Sequence, residues 1–314
     1  MTNSGDNMID MSVEFAGLTL KNPVMTASGT CGYADELQDF FNVSELGGFI
    51  TKSISSLPRK GNPTPRIVET DAGMLNAIGL ANIGLDRFVS EKIPLLEKLD
   101  TAVFVNIAGQ TIDEYVDVTQ RLADQPSIAG FELNISCPNV KKGGITFGTD
   151  PDQIAQITSA VKAVTGDKPL VVKLTPTVSD IAVTAQAAVD AGADALSLVN
   201  TFTAMAIDIE TRKPILTNRT GGLSGAAIKP IAIYLVNRVY NEVGKKHGIP
   251  ILGLGGIRNG SDAIEFIIAG ATTVAVGTAT FADPQTPVDV ISGMKKYCQR
   301  HNITKIKDLI GSLQ

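Results

Sequence analysis

The chain has 314 residues, 44% of them hydrophobic, and a formal net charge of −5. This is enough for one large domain or two ordinary ones with a sizeable core, and the acidic balance argues against a nucleic-acid or polyanion surface. No apolar run reaches the roughly 18 residues of a membrane span, no signal-peptide pattern opens the chain, and three widely spaced cysteines, Cys31, Cys137 and Cys298, do not make a disulfide framework, so a cytoplasmic protein is expected.

In chain order, residues 1–11 read as flexible. The segment "SVEFAGLTLKN" (12–22) reads as a hairpin that caps the bottom of the main body. Short β-branched runs then alternate with helical patterns. Strands are expected at Val24–Ala27, Phe49–Thr51, Ala102–Asn106, Phe131–Ile135, Leu170–Lys173, Ala195–Val199, Ile251–Leu254 and Thr273–Val276. Helices are expected at Thr111–Leu122, Pro151–Val164, Ser179–Ala191, Ile228–Val243 and Ser261–Ala269. The alternation implies a parallel sheet, and eight units in this length suggest an α/β fold of the closed (β/α)8 TIM-barrel kind, a single domain over residues 1–314. "DAGADALSLVN" (190–200) and "IAGATTVAVGT" (268–278) repeat one grammar of helix end, glycine turn and apolar strand, with Gly192 and Gly270 at the left-handed turn position. An open doubly wound sheet is the alternative. It would draw on "GLGGIRNG" (253–260) as a dinucleotide fingerprint, but Arg258 stands where the third glycine belongs.

In such a barrel the active site forms at the C-terminal ends of the strands. The residues that end the expected strands are Ser28, then Lys52 with Ser53, Asn106, Asn134, Lys173, Asn200 with Thr201, Gly255 with Gly256, and Gly277 with Thr278. Asparagine supplies donor and acceptor from one amide, and lysine supplies a point charge. Two lysines, several amides and no carboxylate suit a planar, imide-edged, anionic ligand and not a metal. The glycines after the last two strands suit a phosphate, with a helix start at Ser261 or Asp262. Long connections at 53–85, 136–150 and 201–227 cover or bind something. The apolar loop "MLNAIGLANIG" (74–84) reads either as placing Asn76 over a flat ligand or as packing on the barrel mouth, and "TNRTGGLSG" (217–225) reads as a flexible rim segment. In "FELNISCPNV" (131–140), Cys137 reads either as a reactive thiol or as small apolar packing beside a turn. His247 and His301 lie in polar stretches far from these motifs. The chain contains no Cys-x-x-Cys pair, so it does not carry a thiolate-ligated iron–sulfur cluster of its own.

The segments "LNAIGLAN", "FVNIAG", "NISCPN", "LSLVNT", "TGGLSG" and "GLGGI" together closely resemble the class 1 dihydroorotate dehydrogenases, in register from about Val13 to Ala282. The resemblance implies an FMN-binding barrel that oxidises dihydroorotate to orotate in pyrimidine synthesis. It implies Cys137 as the base for the C5 proton, where the membrane-associated class 2 enzymes carry serine. Lys52 joins it between flavin and substrate. Flavin contacts are implied for Ser28, Lys52, Ser53, Asn106, Asn134, Lys173, Val199, Gly225, Gly255, Gly256, Gly277 and Thr278. Substrate contacts are implied for Lys52, Asn76, Ala77, Ile78, Gly79, Leu80, Asn134, Asn139, Asn200 and Thr201. The loop "NVKKGGITFGTDP" (139–151) is similar to that of class 1B, which implies a homodimer joined to a subunit with FAD and a [2Fe-2S] cluster that passes electrons to NAD. Cys31 departs from the bulkier apolar residue usual in relatives and reads as packing. Fumarate or another soluble acceptor, a dihydropyrimidine dehydrogenase-like flavin barrel, a non-redox phosphosugar barrel and a non-catalytic subunit are the competing readings.

Overall fold

The structure, a computed structural model, describes residues 9–135 and 147–314. Eight parallel strands close into a barrel in chain order: β1 (Val24–Thr26), β2 (Gly48–Ile50), β3 (Ala102–Ile107), β4 (Gly130–Asn134), β5 (Leu170–Lys173), β6 (Ala195–Leu198), β7 (Ile251–Leu254) and β8 (Thr273–Val276). The last four are buried along their whole length, as expected of strands with helices outside and packed side chains within. Each of the eight expected strands is present, and three match to the residue.

The helices start where the sequence offers a cap. Thr111 Oγ1 accepts from Glu114 N at 3.2 Å ahead of helix Ile112–Ala123. Asp150, Asp180 and Asn259 do the same for Pro151–Lys162, Ile181–Asp190 and Gly260–Ala269, each occupying a backbone N–H that has no partner within the first turn. The expected helix over 228–243 is α-helical only over Lys229–Val239 and continues as a wider π turn over Tyr240–Gly244. Gly192 and Gly270 take the positive φ expected of them, +97° and +120°.

Val13–Phe15 and Leu18–Leu20 form the expected hairpin. The Phe15 ring, fully buried, meets Phe104 of β3 edge to face at 6.0 Å and so plugs the barrel from below. The expectation of flexibility over 1–11 needs correcting at 9–11. Asp10 N donates to Thr304 O and Ile306 N donates to Asp10 O, both at 2.9 Å, which ties this segment to the C-terminal residues, and Met11 is buried. Residues 1–8 lie outside the described residues. Among the described residues, no helix is long and apolar enough to cross a membrane.

The larger correction is at the rim. Segments 53–85 and 201–227, expected as loops, contribute a four-stranded antiparallel sheet in the order 202–204, 221–224, 73–76, 67–70. Its register pairs Gly222 with Asn76 and Leu223 with both Leu75 and Phe202. Leu75, Ala77 and Leu216 form a small core of their own beneath it. The "flexible" segment 217–225 is thus fixed by main-chain hydrogen bonds.

Candidate active site

The C-terminal ends of the barrel strands and the underside of the rim sheet enclose one cleft of about 940 Å³. Its floor is polar. Asn134 ends β4 and Lys173 ends β5, and the two residues are paired in register. Lys173 is only 4% exposed, and its Nζ donates to Ser28 Oγ at 2.9 Å. Asn200 Nδ2 donates to Asn134 Oδ1 at 3.3 Å, and Asn200 Oδ1 accepts from Thr201 N at 2.8 Å. The amides from β4 and β6 therefore orient one another.

Lys52 follows β2 and lines the cleft, its backbone N–H held by Gly32 O at 2.8 Å. Burial, aided by the positive charge of Arg66, pushes its pKa below that of an ordinary lysine. Asn76 enters from the rim sheet, with Nδ2 3.4 Å from Gly222 O. Ala77, Ile78, Gly79 and Leu80 continue from it along the cleft wall.

The opposite end of the cleft is bare backbone. Gly255, Gly256, Gly277 and Thr278 line it together with Gly225. Space behind the glycines is closed: a Cβ on Gly256 would stand 2.7 Å from Gly225 O and 2.9 Å from Lys229 Cβ. Such a cradle brings main-chain N–H groups to an anion that a side chain would keep away. The expected helix contribution is smaller than the sequence suggests. The helix begins at Gly260, Asn259 takes the Asp262 N–H at 3.0 Å, and the Asp262 carboxylate takes the Arg258 N–H at 3.0 Å and Lys229 Nζ at 2.7 Å. These donors serve the loop itself. Thr278 Oγ1 shares a 2.8 Å hydrogen bond with Ser224 Oγ, which links the cradle to the rim sheet.

All but one of the sequence-expected residues that fall in the described segments line this cleft: Ser28, Lys52, Ser53, Asn76 to Leu80, Asn134, Lys173, Val199, Asn200, Thr201, Gly225, Gly255, Gly256, Gly277 and Thr278. The exception is Asn106. It is fully buried one layer down, where its amide bonds Ser53 Oγ above and Glu132 below. Cys137 and Asn139 lie outside the described residues. Cys31 fits its reading as packing: it is buried beside Thr30, and burial pushes its thiol up to about 11.

Sequence reasoning missed two features. Glu69 and Asp71 of the rim sheet line the mouth, and Glu132 lies under the floor, so the expectation of a site without carboxylates is corrected. Counting only the last residue of each strand hid Glu132. The two-residue alternation that puts it on the face of Asn134 was the available signal. Ser224, Thr175 and Thr177 also line the cleft without having stood out in the sequence.

Comparison with known proteins gives the same outline. The family model described as dihydroorotate dehydrogenase matches residues 10–298. A protein of Pelobacter propionicus named dihydroorotate dehydrogenase B (NAD(+)), catalytic subunit, is 52% identical over 305 residues, covering 97% of this chain and 99% of that one. The protein of the same name from Geotalea uraniireducens is 53% identical over 304 residues, covering 97% and 98%. Among solved structures, an Eimeria tenella DHODH in complex with ferulenol superposes with a TM-score of 0.78 at 24% identity, covering 99% of this chain and 90% of that one. At that identity it speaks for the barrel fold alone.

Proposed function

The chain belongs to the dihydroorotate dehydrogenase family, and from that premise we propose how its cleft performs the family's reaction. It is an oxidoreductase that converts dihydroorotate to orotate in pyrimidine biosynthesis, as the catalytic subunit of a B-type enzyme with NAD as final acceptor. One FMN belongs to this chain, and FAD with a [2Fe-2S] cluster to a partner subunit. The observation that carries this reading is the two-ended cleft, with a glycine cradle at one end and lysines and mutually oriented amides at the other.

The residues present fit FMN. Gly255, Gly256, Gly277 and Thr278 would hold the phosphate through main-chain N–H groups, and Gly225, Val199, Ser28 and Ser53 would border the ring. Asn106 supports that floor from below. When bound, FMN supplies the hydride acceptor. Lys173 lies on the floor, where its ammonium would stabilise negative charge on a bound reduced flavin. Lys52 offers a cation to the substrate carboxylate. Asn76, Asn134 and Asn200, with Thr201, present donors and acceptors to the imide edges, so a ligand lacking those groups leaves buried amides unpaired and binds poorly. Residues 77–80 cover one face of the substrate.

Cys137 takes the C5 proton, and Asn139 completes the amide set; both assignments come from the sequence. A thiol titrates near pH ~8.5 and only its thiolate accepts a proton, so turnover rises toward alkaline pH. Residues 1–314 act as one domain, the assembly is a homodimer joined to two electron-transfer subunits, and the compartment is the cytoplasm.

The test is direct. Purified protein should be yellow, and anaerobic dihydroorotate, but not dihydrouracil, should bleach it. A protein that takes up no FMN, or a bound flavin that dihydroorotate leaves oxidised, would remove this reading.

A further inference from the structure

Under the floor lies a carboxylate to which the proposed reaction gives no task. Glu132 stands two residues before Asn134 in β4, so both side chains project into the barrel, with Glu132 one layer deeper. It is 0% exposed. Oε1 accepts from Ser197 Oγ at 2.8 Å, and Oε2 accepts from Asn106 Nδ2 at 2.5 Å and lies 3.6 Å from Lys173 Nζ. Asn106 Oδ1 in turn accepts from Ser53 Oγ, and Lys173 donates to Ser28 Oγ. The network thus joins residues in or shortly after six of the eight barrel strands.

An ionised carboxylate at this depth is costly unless it is paired and hydrogen-bonded. Barrel interiors are ordinarily filled by branched aliphatic side chains, and apolar residues in place of a buried ion pair are often no less stable. Stability alone therefore does not account for Glu132. Its charge is directed at one cleft-lining cation, Lys173.

We propose that Glu132 is a positioning residue for the flavin reaction: it fixes the Lys173 ammonium at the cleft floor and offsets part of its charge. The proposal rests on the reading of the cleft as an FMN site. In that reaction dihydroorotate would lose a proton to the base and a hydride, with its two electrons, to the flavin, and the Lys173 ammonium would stabilise the negative charge of a reduced flavin held in the cleft. A lysine without a counter-charge would over-stabilise that charge and hold the electrons back from the next carrier. Glu132 moderates its field, so the site both accepts electrons and releases them.

Glu132→Gln removes the charge and keeps the shape. Its amide nitrogen can donate to the Ser197 hydroxyl while its oxygen still accepts from Asn106 and faces Lys173. Glu132→Asp keeps the charge and withdraws it from Lys173 by one methylene. The midpoint potential of bound FMN is measured by dye-equilibrated reductive titration in wild type and both variants, and the affinity of each apoprotein for FMN by fluorescence quenching. A potential shifted positive in E132Q, and by less in the same direction in E132D, is expected. Potentials of both variants at or below the wild-type value would overturn the proposal while leaving the functional reading intact, provided wild type is reduced by dihydroorotate. Wild-type protein that takes up no FMN would overturn the reading and the proposal together. If E132Q fails to fold or to retain flavin, E132D decides.

Discussion

Gly225 sits where the rim sheet meets the glycines proposed to hold a phosphate, and Gly225→Ala tests that junction. The residue has φ +99° and ψ −167°, a region open almost only to glycine, where another residue costs on the order of 1–3 kcal/mol. An added Cβ would also stand 2.5 Å from Gly73 Cα and 3.1 Å from Ala72 O. Both are main-chain atoms that cannot swing aside, and overpacking of this kind costs about 1–3 kcal/mol. Together the variant loses roughly 2–6 kcal/mol, which for a domain of this size lowers Tm by about 3–9 °C. Gly248→Ala is the control. Gly248 also has a positive φ, +66°, but a Cβ there meets nothing within 4 Å, so it loses only about 1 kcal/mol. Calorimetry of the apoprotein and FMN-loaded protein reads both. In G225A, FMN should add less to Tm than in wild type, because Gly225 lines the cradle. If G225A melts with G248A, the contact between the two glycine backbones is not what closes the cleft, and the reasoning fails.

Three further outcomes are expected. Cys137→Ser should keep its FMN and yellow colour but lose most turnover near neutral pH in a steady-state assay; full activity would remove Cys137 as the base. Since burial lowers the pKa of Lys52 from the usual 10.5, its charged form is lost at lower pH than for an exposed lysine, so KM for dihydroorotate should rise on the alkaline side before that value. A KM flat through this range would dissociate Lys52 from the substrate carboxylate. Lys173→Ala removes a cation from beside the fully buried Glu132 carboxylate, a change that typically costs about 3–5 kcal/mol. Denaturant unfolding of K173A should show that loss, and K173A/E132Q should recover part of it; a double variant no more stable than K173A would deny the coupling.

The barrel was legible because its strands are apolar runs that end at polar residues and alternate with helical patterns. Most of the cleft was legible for a related reason, since barrel geometry brings strand ends to one rim whatever lies between them. The rim sheet was not. Its strands "GMLN" and "GGLS" lack β-branched residues, and they pair across about half the chain, as with Gly222 and Asn76. Nothing local announces that pairing. Asn106 was misplaced by one layer for a simpler reason. The strand expected to end at Asn106 runs on to Ile107, which leaves the amide inside the barrel.

The rim sheet also bears on how this cleft could come to accept other rings. Asn76 and Gly222 are partners in one register, and a Cβ on Gly222 would lie 2.0 Å from Thr201 Oγ1. A substitution that reshapes the contact at 76–80 must therefore be accommodated at 221–224 and again at 201, segments far apart in sequence. Single mutations here lead mostly to misfit, and a new specificity requires concerted change at all three. Substrate choice is thus tied to main-chain pairing as well as to the amides proposed to touch the ligand.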